Sequence, residues 1–337
     1  YNNLINNEFI YRSYGMLTGN NNIFYNFYMG NKYLLNSSNN MLGYKKIADG
    51  IYRNEDVLPI GYSTNKIMNL DEYNSLSYFE KLDAYLNYAI VDGDYSDSYV
   101  KKVKDYVPSY DVLESKNLKI EEDNGKYFIK ASKDNKLVIK LNNISDSDIL
   151  LLRFKMLYDN KCSEDDSYIT INGVSNKLSC RRWKYHNNNY NFEYSLSGDT
   201  LEITFSEGKF RLTDFDMALY DYNDLVSINN KISPFVIDRD KTKGDVIEGN
   251  INVKDDGYFK LSIPYDEGFE IYVDDVKTDY EVVNKSFVGF DISKGSHNIR
   301  IVYTSPLFKE GLVISCVGLV LFLGTVIYYR KREKSVD

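Results

Sequence analysis

The spacing of apolar residues changes along this chain, and each spacing predicts a different kind of element. Between residues 77 and 91, apolar side chains such as Phe79, Leu82 and Leu86 recur every three or four positions, which predicts an amphipathic helix. From about residue 110 the spacing becomes two, in short runs such as 126–130 and 136–141. Residues 1–108 are therefore predicted to be a mixed α/β segment, and antiparallel strands are predicted after it.

Two blocks of alternating runs follow one another. About seven or eight runs, separated by turn residues, fall between 109 and 220, and this density fits a jelly-roll-like β-sandwich. A second set lies between 249 and 303 and contains the hairpin signal Asp255-Asp256-Gly257, which predicts a small antiparallel β-domain over 246–305. Residues 221–245 are then a helical or irregular connector.

The last apolar run has no periodicity. Residues 311–329 carry no charged side chain, and as a helix they would span roughly 28 Å, close to the hydrocarbon thickness of a bilayer. Four cations follow at once: Arg330, Lys331, Arg332 and Lys334. By the positive-inside rule they hold that end in the cytoplasm. We predict a transmembrane helix over 309–330 and a cytoplasmic tail at 331–337. A buried core helix is the alternative, which the adjoining basic cluster disfavours.

The predicted fold class is mainly β, with one C-terminal transmembrane helix and an extracytoplasmic bulk at the cell membrane. The chain begins at Tyr1 without an initiator Met or a signal peptide, although an extracytoplasmic region needs an export signal. We therefore expect a piece of a longer protein whose N-terminal membrane segments lie upstream. The net charge is −8 and the cations cluster only in the tail, which argues against a nucleic-acid partner.

Three cysteines allow one candidate disulfide. Cys316 lies in the predicted membrane helix, whereas Cys162 and Cys180 lie in the extracytoplasmic part, where an oxidising environment would permit a bond. Such a bond would stabilise the fold by about 3 kcal/mol. Two unpaired thiols fit the sequence equally well, because the required geometry cannot be read from it.

Sequence motifs of catalysis are missing. The chain has no P-loop, no dinucleotide fingerprint and no Gly-x-Ser-x-Gly elbow. Its two histidines, His186 and His297, lack metal-ligand spacing, and alternation with Ile299 predicts that His297 faces solvent on a strand. Carboxylate pairs such as Asp274/Asp275 fall in turns, where Asp is favoured by local hydrogen bonding. We therefore assign no catalytic residue, metal or cofactor to this chain.

One local cluster suggests a binding site. Residues 180–190 read CRRWKYHNNNY and contain the single Trp of the sequence. Because Arg forks suit phosphates and aromatic faces suit sugars, we hypothesise that this loop contacts an anionic glycan or a lipid head group. The candidate residues are Arg181, Arg182, Trp183 and Tyr185. A strand with one core Trp and solvated cations is the other interpretation.

Three stretches, in order, resemble the C-terminal part of the YfhO family, which are large multi-pass bacterial membrane proteins of the GT-C glycosyltransferase type. The first runs from Gly30-Asn31-Lys32-Tyr33 through Gly43-Tyr44-Lys45 and Ile51-Tyr52-Arg53-Asn54 to residues 57–62. The second is the predicted helix at 79–91. The third runs from residues 261–269 through Val273-Asp274-Asp275 and Lys294-Gly295-Ser296-His297 to Val302-Tyr303.

Two positions depart from the family pattern, and the middle sandwich is similar only in style. Gly268-Phe269 stands where the family usually has Gly-Trp, and Asp274-Asp275 stands where it usually has Asp-Gly. Both changes are compatible with a strand and its turn.

The resemblance implies a transferase that takes its sugar from a polyprenyl-phosphate donor and acts on cell-envelope polymers such as teichoic acid. It also implies that the catalytic acidic residue lies in an early extracytoplasmic loop, outside this chain. The fragment would then be inactive alone and would cover the active site or guide the acceptor. Its partners would be the bilayer, the upstream transmembrane bundle and a cell-envelope glycan. A single-pass, membrane-anchored module that binds glycans or a protein is the alternative.

Overall fold

The structure is a computed structural model that describes residues 22–35, 42–93, 95, 97–158, 167–178 and 191–333. The chain divides into two compact units. Unit 1 comprises Tyr1–Val236, Ile251–Tyr265 and Tyr280–Ser296, and unit 2 comprises Ile237–Asn250, Asp266–Asp279 and His297–Asp337. Antiparallel strands dominate the described residues, and one long apolar helix closes the chain, which confirms the mainly β fold class.

Short helices and strands build the N-terminal segment and the connector. The helices in the described ranges are α1 (Ile23–Tyr28), α2 (Leu70–Ser75), α3 (Tyr78–Asn87), α4 (Tyr222–Val226), α5 (Ile228–Lys231) and α6 (Phe308–Glu333). The first strands are β1 (Tyr33–Leu35), β2 (Lys45–Ala48), β3 (Ile51–Arg53), β4 (Gly61–Thr64), β5 (Ile67–Asn69) and β6 (Ala89–Val91). β1, β3 and β2 form a small antiparallel sheet in that order.

The predicted β-sandwich corresponds to one curled antiparallel sheet. Its strands are β7 (Lys104–Asp105), β8 (Tyr110–Asp123), β9 (Lys126–Leu141), β10 (Asp148–Tyr158), β11 (Ser167–Ile171), β12 (Val174–Leu178), β13 (Asn191–Ser197), β14 (Thr200–Phe205) and β15 (Gly208–Asp221). The order is β12-β11-β14-β9-β15-β10-β13, with β8 paired to β9 and β7 paired to β15. β9 pairs with β15 along its first half and with β14 along its second half, so the sheet encloses a core.

Strands β10, β13 and β15 are here called the wall sheet, and their segments at residues 149–152, 194–196 and 218–220 are buried on both faces. Leu150 and Leu152 of β10 belong to the enclosed sandwich core, whereas Ile149 and Leu151 belong to a helical core that contains α1 and α3. Successive strand residues point to opposite faces, so a strand between two cores needs an unbroken apolar run. Residues 149–152 supply that run.

Helix α3 lies in the helical core. Its N-terminus is closed by a capping box between Ser77 and Glu80, with the Ser77 backbone N–H donating to the Glu80 carboxylate at 3.0 Å. The helix predicted over 77–91 is present, but it ends at Asn87. Residues 89–91 form β6 instead, buried throughout and parallel to β5. Ile90 and Val91 are β-branched and suit a strand that is enclosed on both sides.

The N-terminal segment also donates a strand to a later sheet of unit 1. β4 lies between β16 (Ser233–Ile237) and β18 (Gly257–Pro264), and β18 continues to β22 (Phe287–Ile292) and β21 (Glu281–Val283). Gly61 permits this packing, because a Cβ there would lie 2.8 Å from Leu261 Cδ2. The spacing of residues in the N-terminal segment did not indicate this pairing. The domain boundaries at 108, 220, 245 and 305 stay predictions.

Unit 2 contains a small antiparallel sheet and the long helix. β19 (Phe269–Val273) pairs with β20 (Val276–Thr278) and with β23 (Gly295–Tyr303), while β17 (Val246–Val253) begins in this unit. Asp274 and Asp275, both with positive φ, form the two-residue turn between β19 and β20. Two successive left-handed residues are what a type I′ hairpin requires.

The wall sheet makes adjacent leucines equally important. Leu150 is 0% exposed and Leu151 is 1% exposed, on opposite faces. Replacing either with Ala should therefore lower the free energy of unfolding by about 2–5 kcal/mol, through lost burial and a residual cavity. Urea unfolding of the detergent-solubilised chain, followed by far-ultraviolet circular dichroism, measures this.

The matched control is Val112→Ala on β8, where the side chain is 56% exposed. It should change the free energy by less than about 0.5 kcal/mol. If the free energy of unfolding fell in one leucine variant and not in the other, one face of the sheet would be open to solvent.

Candidate functional site

The predicted glycan or phosphate site lies outside the described residues. Arg181, Arg182, Trp183 and Tyr185 fall between residues 178 and 191, and their role stays a prediction. The same holds for the disulfide between Cys162 and Cys180 and for the position of Lys334. The other cations predicted to hold this end in the cytoplasm lie in the last turn of α6: Arg330, Lys331 and Arg332.

Half-exposed aromatic side chains come together on strands β8, β9 and β15 of the sandwich. Tyr110 of β8 is 45% exposed and Phe215 of β15 is 38% exposed. Tyr127 of β9 meets Phe215 edge to face, with ring centroids 5.3 Å apart. Burial raises the pKa of Tyr127, and the neighbouring Tyr110 side chain raises it further. The three residues Tyr110, Tyr127 and Phe215 are called the aromatic rim below.

A β-bulge sets the direction of Phe215. Lys155 pairs with Thr213 and Arg153 pairs with Asp216, so two residues of β15 stand opposite Phe154 alone. Asp214 takes the left-handed conformation, with φ of 56°. Bulges of this kind re-aim side chains, and here Phe215 stacks on Phe154 with centroids 5.4 Å apart.

Ion pairing fixes the bulge from the solvent side. Lys155 Nζ lies 2.7 Å from Asp214 Oδ2, and both side chains are about half exposed. The rim thus presents ring faces together with two phenolic hydroxyls and an adjacent ion pair. This arrangement suits a ligand with flat, partly apolar faces and many hydroxyls, because Tyr combines an apolar body with a polar end. A sugar ring has that character.

Sequence reasoning missed the rim for a definable reason. Period-two alternation assigns residues to faces only while the register is regular, and the extra residue at Asp214 shifts Phe215. A signal is present in hindsight, since Thr213-Asp214-Phe215-Asp216 interrupts an apolar alternation with two carboxylates.

A buried carboxylate joins α3 to the wall sheet. Asp83 is 0% exposed and accepts hydrogen bonds from Tyr220 Oη at 2.5 Å and Tyr99 Oη at 2.9 Å. Lys102 Nζ lies 3.9 Å away. Burial is the main cause that raises the pKa of Asp83 and also the main cause that lowers the pKa of Lys102. Desolvation therefore outweighs the attraction between the two charges.

A buried lysine holds the other end of α3. Lys260 of β18 is 0% exposed and donates to the carbonyls of Tyr85 at 3.1 Å, Leu86 at 3.3 Å and Tyr88 at 2.5 Å. The ring of Tyr62 lies 4.9 Å from its Nζ. Burial places the pKa of Lys260 well below its ordinary value. The amine satisfies carbonyls that the helix end leaves unpaired, which is a structural role.

Asn284 secures the residues that follow α3. Its side chain donates to the Tyr85 carbonyl at 2.9 Å and accepts from the Ile90 N–H at 2.9 Å. It is 0% exposed and adopts φ of 49°. Asn tolerates this left-handed conformation better than most residues.

The histidine of unit 2 pairs with a carboxylate. His297 lies on β23 as predicted, but its side chain is only 13% exposed, so the predicted solvent-facing position is wrong. Residues two apart on a strand share a face, so His297 lies on the same side as the buried Ile299, and its Nδ1 lies 2.7 Å from Asp274 Oδ2. This contact lowers the pKa of Asp274. Across the described ranges, no group of three His, Cys, Asp or Glu side chains is placed to hold a metal ion.

Helix α6 has the length and composition of a membrane span. The most apolar 18-residue window of this helix has a mean hydropathy of 2.3, and none of that window is buried against protein. Apolar side chains such as Val313 and Ile314, 63% and 72% exposed, need an apolar surrounding. A bilayer supplies it, whereas the alternative of a core helix would require buried side chains.

The model of the family described as bacterial membrane protein YfhO matches residues 14–315. The chain belongs to the YfhO family. A relative from Bacillus subtilis (strain 168), named "Uncharacterized protein YfhO", is 28% identical over 154 residues. The aligned part is 44% of this chain and 16% of that protein, so the match spans a small part of the relative's length.

Solved structures of family 29 carbohydrate-binding modules are similar to part of this YfhO chain. A mutant of the module CBM29-2 is 13% identical, with a TM-score of 0.22, and the match covers 36% of this chain and 89% of that one. Another structure of a family 29 module is 13% identical, with a TM-score of 0.21, and covers 36% and 86%. TM-scores this low do not establish a shared fold.

The YfhO-like stretches lie mainly outside the sandwich. The first stretch contains β1, β3 and the start of β4, and the second coincides with α3 and β6. The third begins in β18 and ends in β23. The aromatic rim therefore lies between the second and third of these stretches, within the residues 14–315 that the family model matches.

Stability of this YfhO chain should depend on pH through Asp83. A carboxyl whose folded-state pKa is raised contributes stability that is present below its ordinary pKa of 3.8 and lost as pH rises through the folded value. Asp83→Asn removes the titrating carboxyl and therefore removes this pH-dependent loss of stability. The free energy of unfolding of the variant relative to the parent should therefore increase as pH rises above about 4.

Urea unfolding in detergent at several pH values measures this difference. The control is Asp146→Asn, which changes an exposed aspartate and should leave the two profiles parallel. A constant difference between Asp83→Asn and the parent at all pH values would contradict the raised pKa.

Proposed function

We propose that this chain is the extracytoplasmic C-terminal part of a multi-pass YfhO-family glycosyltransferase. The parent would transfer sugar from a polyprenyl-phosphate donor to cell-envelope polymers such as teichoic acid. The observation that carries the proposal is the YfhO match over residues 14–315 in a chain that ends in a membrane-length apolar helix. The donor and the catalytic acidic residue would belong to the upstream membrane region.

In this proposal unit 1 guides or covers the acceptor and performs no chemistry itself. Asp83 and Lys260 are enclosed and engaged in holding α3, so a substrate has no access to them. The aromatic rim, in contrast, is open to solvent. Open rings beside hydroxyls favour binding of a saccharide over acid–base catalysis.

The acceptor would lie on the rim. A sugar face would pack on the Phe215 ring, and the Tyr110 and Tyr127 hydroxyls would hydrogen-bond its substituents. The bulge at Asp214 and the stacking on Phe154 hold Phe215 in place before the ligand arrives. Such preorganisation reduces the entropy lost on binding.

Loss of the rim should therefore weaken acceptor use and leave the chemical step intact. In membranes that contain the full-length parent, Phe215→Ala and Tyr127→Ala should raise the KM for polymer acceptor several-fold, with kcat nearly unchanged. Transfer of radiolabelled sugar from a polyprenyl-phosphate donor to purified teichoic acid measures both constants. The rim contacts would stabilise the bound acceptor and the transition state equally, so their loss should raise KM and leave kcat unchanged.

Phe128→Ala is the matched control. Phe128 is adjacent to Tyr127 on β9, is 37% exposed and points to the other face of the strand. It should leave KM unchanged. Equal effects of Phe128→Ala and Tyr127→Ala would show a general loss of fold and would remove the rim from the acceptor path. Sugar transfer by the purified 337-residue chain alone would overturn the non-catalytic role.

A membrane-anchored glycan- or protein-binding module is the second candidate. The aromatic rim favours a glycan-binding module over a protein-binding one. All three rim residues lie on strands of this chain, β8, β9 and β15, so no other part of the protein is needed to form the rim. Absence of transfer by the full-length parent, together with saccharide binding that Phe215→Ala abolishes, would select this candidate.

A further inference from the structure

We infer that one end of the unit 2 sheet, formed by Phe269, Tyr303, Leu307 and Phe308, rests in the lipid head-group layer beside α6. The partner is the bilayer leaflet at the N-terminal end of that helix. The inference rests on the membrane span and holds whether the parent is a transferase or an anchored binding module.

The aromatic pair at this end is packed and specific. Phe269 of β19 stands directly opposite Tyr303 of β23, with ring centroids 5.0 Å apart. Gly268 lets the strands close, because a Cβ there would lie 2.3 Å from the Thr304 carbonyl oxygen. The Thr304 N–H donates to the Gly268 carbonyl at 2.9 Å. Aromatic residues with one polar end are enriched at membrane interfaces.

The connection to the membrane helix is short and held. The Phe308 N–H donates to the Ser305 carbonyl at 3.1 Å, and the Gly311 N–H donates to the Leu307 carbonyl at 2.9 Å. Pro306 restricts its own φ. A hydrogen bond from Lys277 is the main cause that lowers the pKa of Glu270, and the nearby Lys309 ammonium lowers it further. The sheet end therefore stays beside the first turn of α6 and cannot swing far from the bilayer.

Exposed apolar side chains continue from the helix onto this end. Leu307 is 75% exposed and Phe308 is 61% exposed, and the apolar run of the membrane helix begins at Gly311. Phe308 precedes Gly311 by about 4.5 Å along a helix, which is less than the thickness of one head-group layer. The exposed apolar surface of Leu307 and Phe308 is thus continuous with the apolar surface of α6, which the bilayer covers.

Charges at the same end set the depth. Asp266 and Glu267 precede Gly268, and Glu310 follows Lys309 in the first turn of α6. Asp266 accepts from the Gly268 N–H at 2.8 Å. Carboxylates are costly in hydrocarbon but tolerated among head groups, so this end lies at the level of the phosphates and above the acyl chains.

Single tryptophans test the inference in the full chain. In a background of Trp183→Phe, Phe269→Trp and Tyr303→Trp place a reporter in the aromatic pair, and Val276→Trp places one in the same sheet beyond the turn. Val276 is 67% exposed and serves as the matched control. Each variant is reconstituted in phosphatidylcholine vesicles with or without phosphatidylcholine brominated near the start of its acyl chains.

The reporters at positions 269 and 303 should lose most of their emission to the brominated lipid and be weakly quenched by acrylamide in water. The control at position 276 should show the reverse. Circular dichroism confirms that each variant is folded, and two sites keep the test valid if one variant fails. Quenching at 269 and 303 equal to that at 276 would overturn the inference, since the sheet end would then stand in water.

Discussion

Burial of the wall sheet on both faces is the constraint on which unit 1 depends. Leu150 and Leu151 are neighbours in the chain, yet one belongs to the sandwich core and the other to the helical core. Fully burying a leucine is worth about 1.5–3 kcal/mol, so each core gains from the same three strands. Tyr194 and Leu196 extend one face of β13, while the Glu193 carboxylate on the other face accepts a hydrogen bond from Asn22 at 2.7 Å. Neither layer can lose the sheet without exposing side chains of the other.

Buried polar groups then orient α3 on this sheet. Asp83 faces Tyr220 of the wall sheet near the middle of the helix, and Lys260 of β18 meets the carbonyls at its end. Burial favours the neutral form of both groups, and the hydrogen bonds that satisfy them are available only in this geometry. Apolar contacts alone allow a helix to rotate or slide, whereas these contacts fix its position. The two buried polar groups thus connect the N-terminal segment, the sandwich and the later strands within unit 1.

Much of the fold could be predicted from residue spacing, and the exceptions have physical causes. Alternating runs predicted the sandwich strands, and the uncharged run at 311–329 predicted α6, because both signals are local. The helix end at Asn87 was missed, since burial of Ile90 and Val91 between other elements decides it. The place of β4 beside β18 was missed because the two strands are distant in sequence. The direction of Phe215 depends on a bulge whose register only the partner strand reveals.

The proposed acceptor-guiding role would require a sandwich that keeps the shape of the rim while a ligand is bound. Because the two cores share the wall sheet, the helical core and the sandwich core should open together. Native-state amide hydrogen exchange in increasing urea tests it most directly, with amides of α3 reporting on one core and amides of β13 on the other. Both sets of amides should exchange with the same opening free energy and the same dependence on urea. Exchange from α3 at a distinctly lower free energy than from β13 would contradict it.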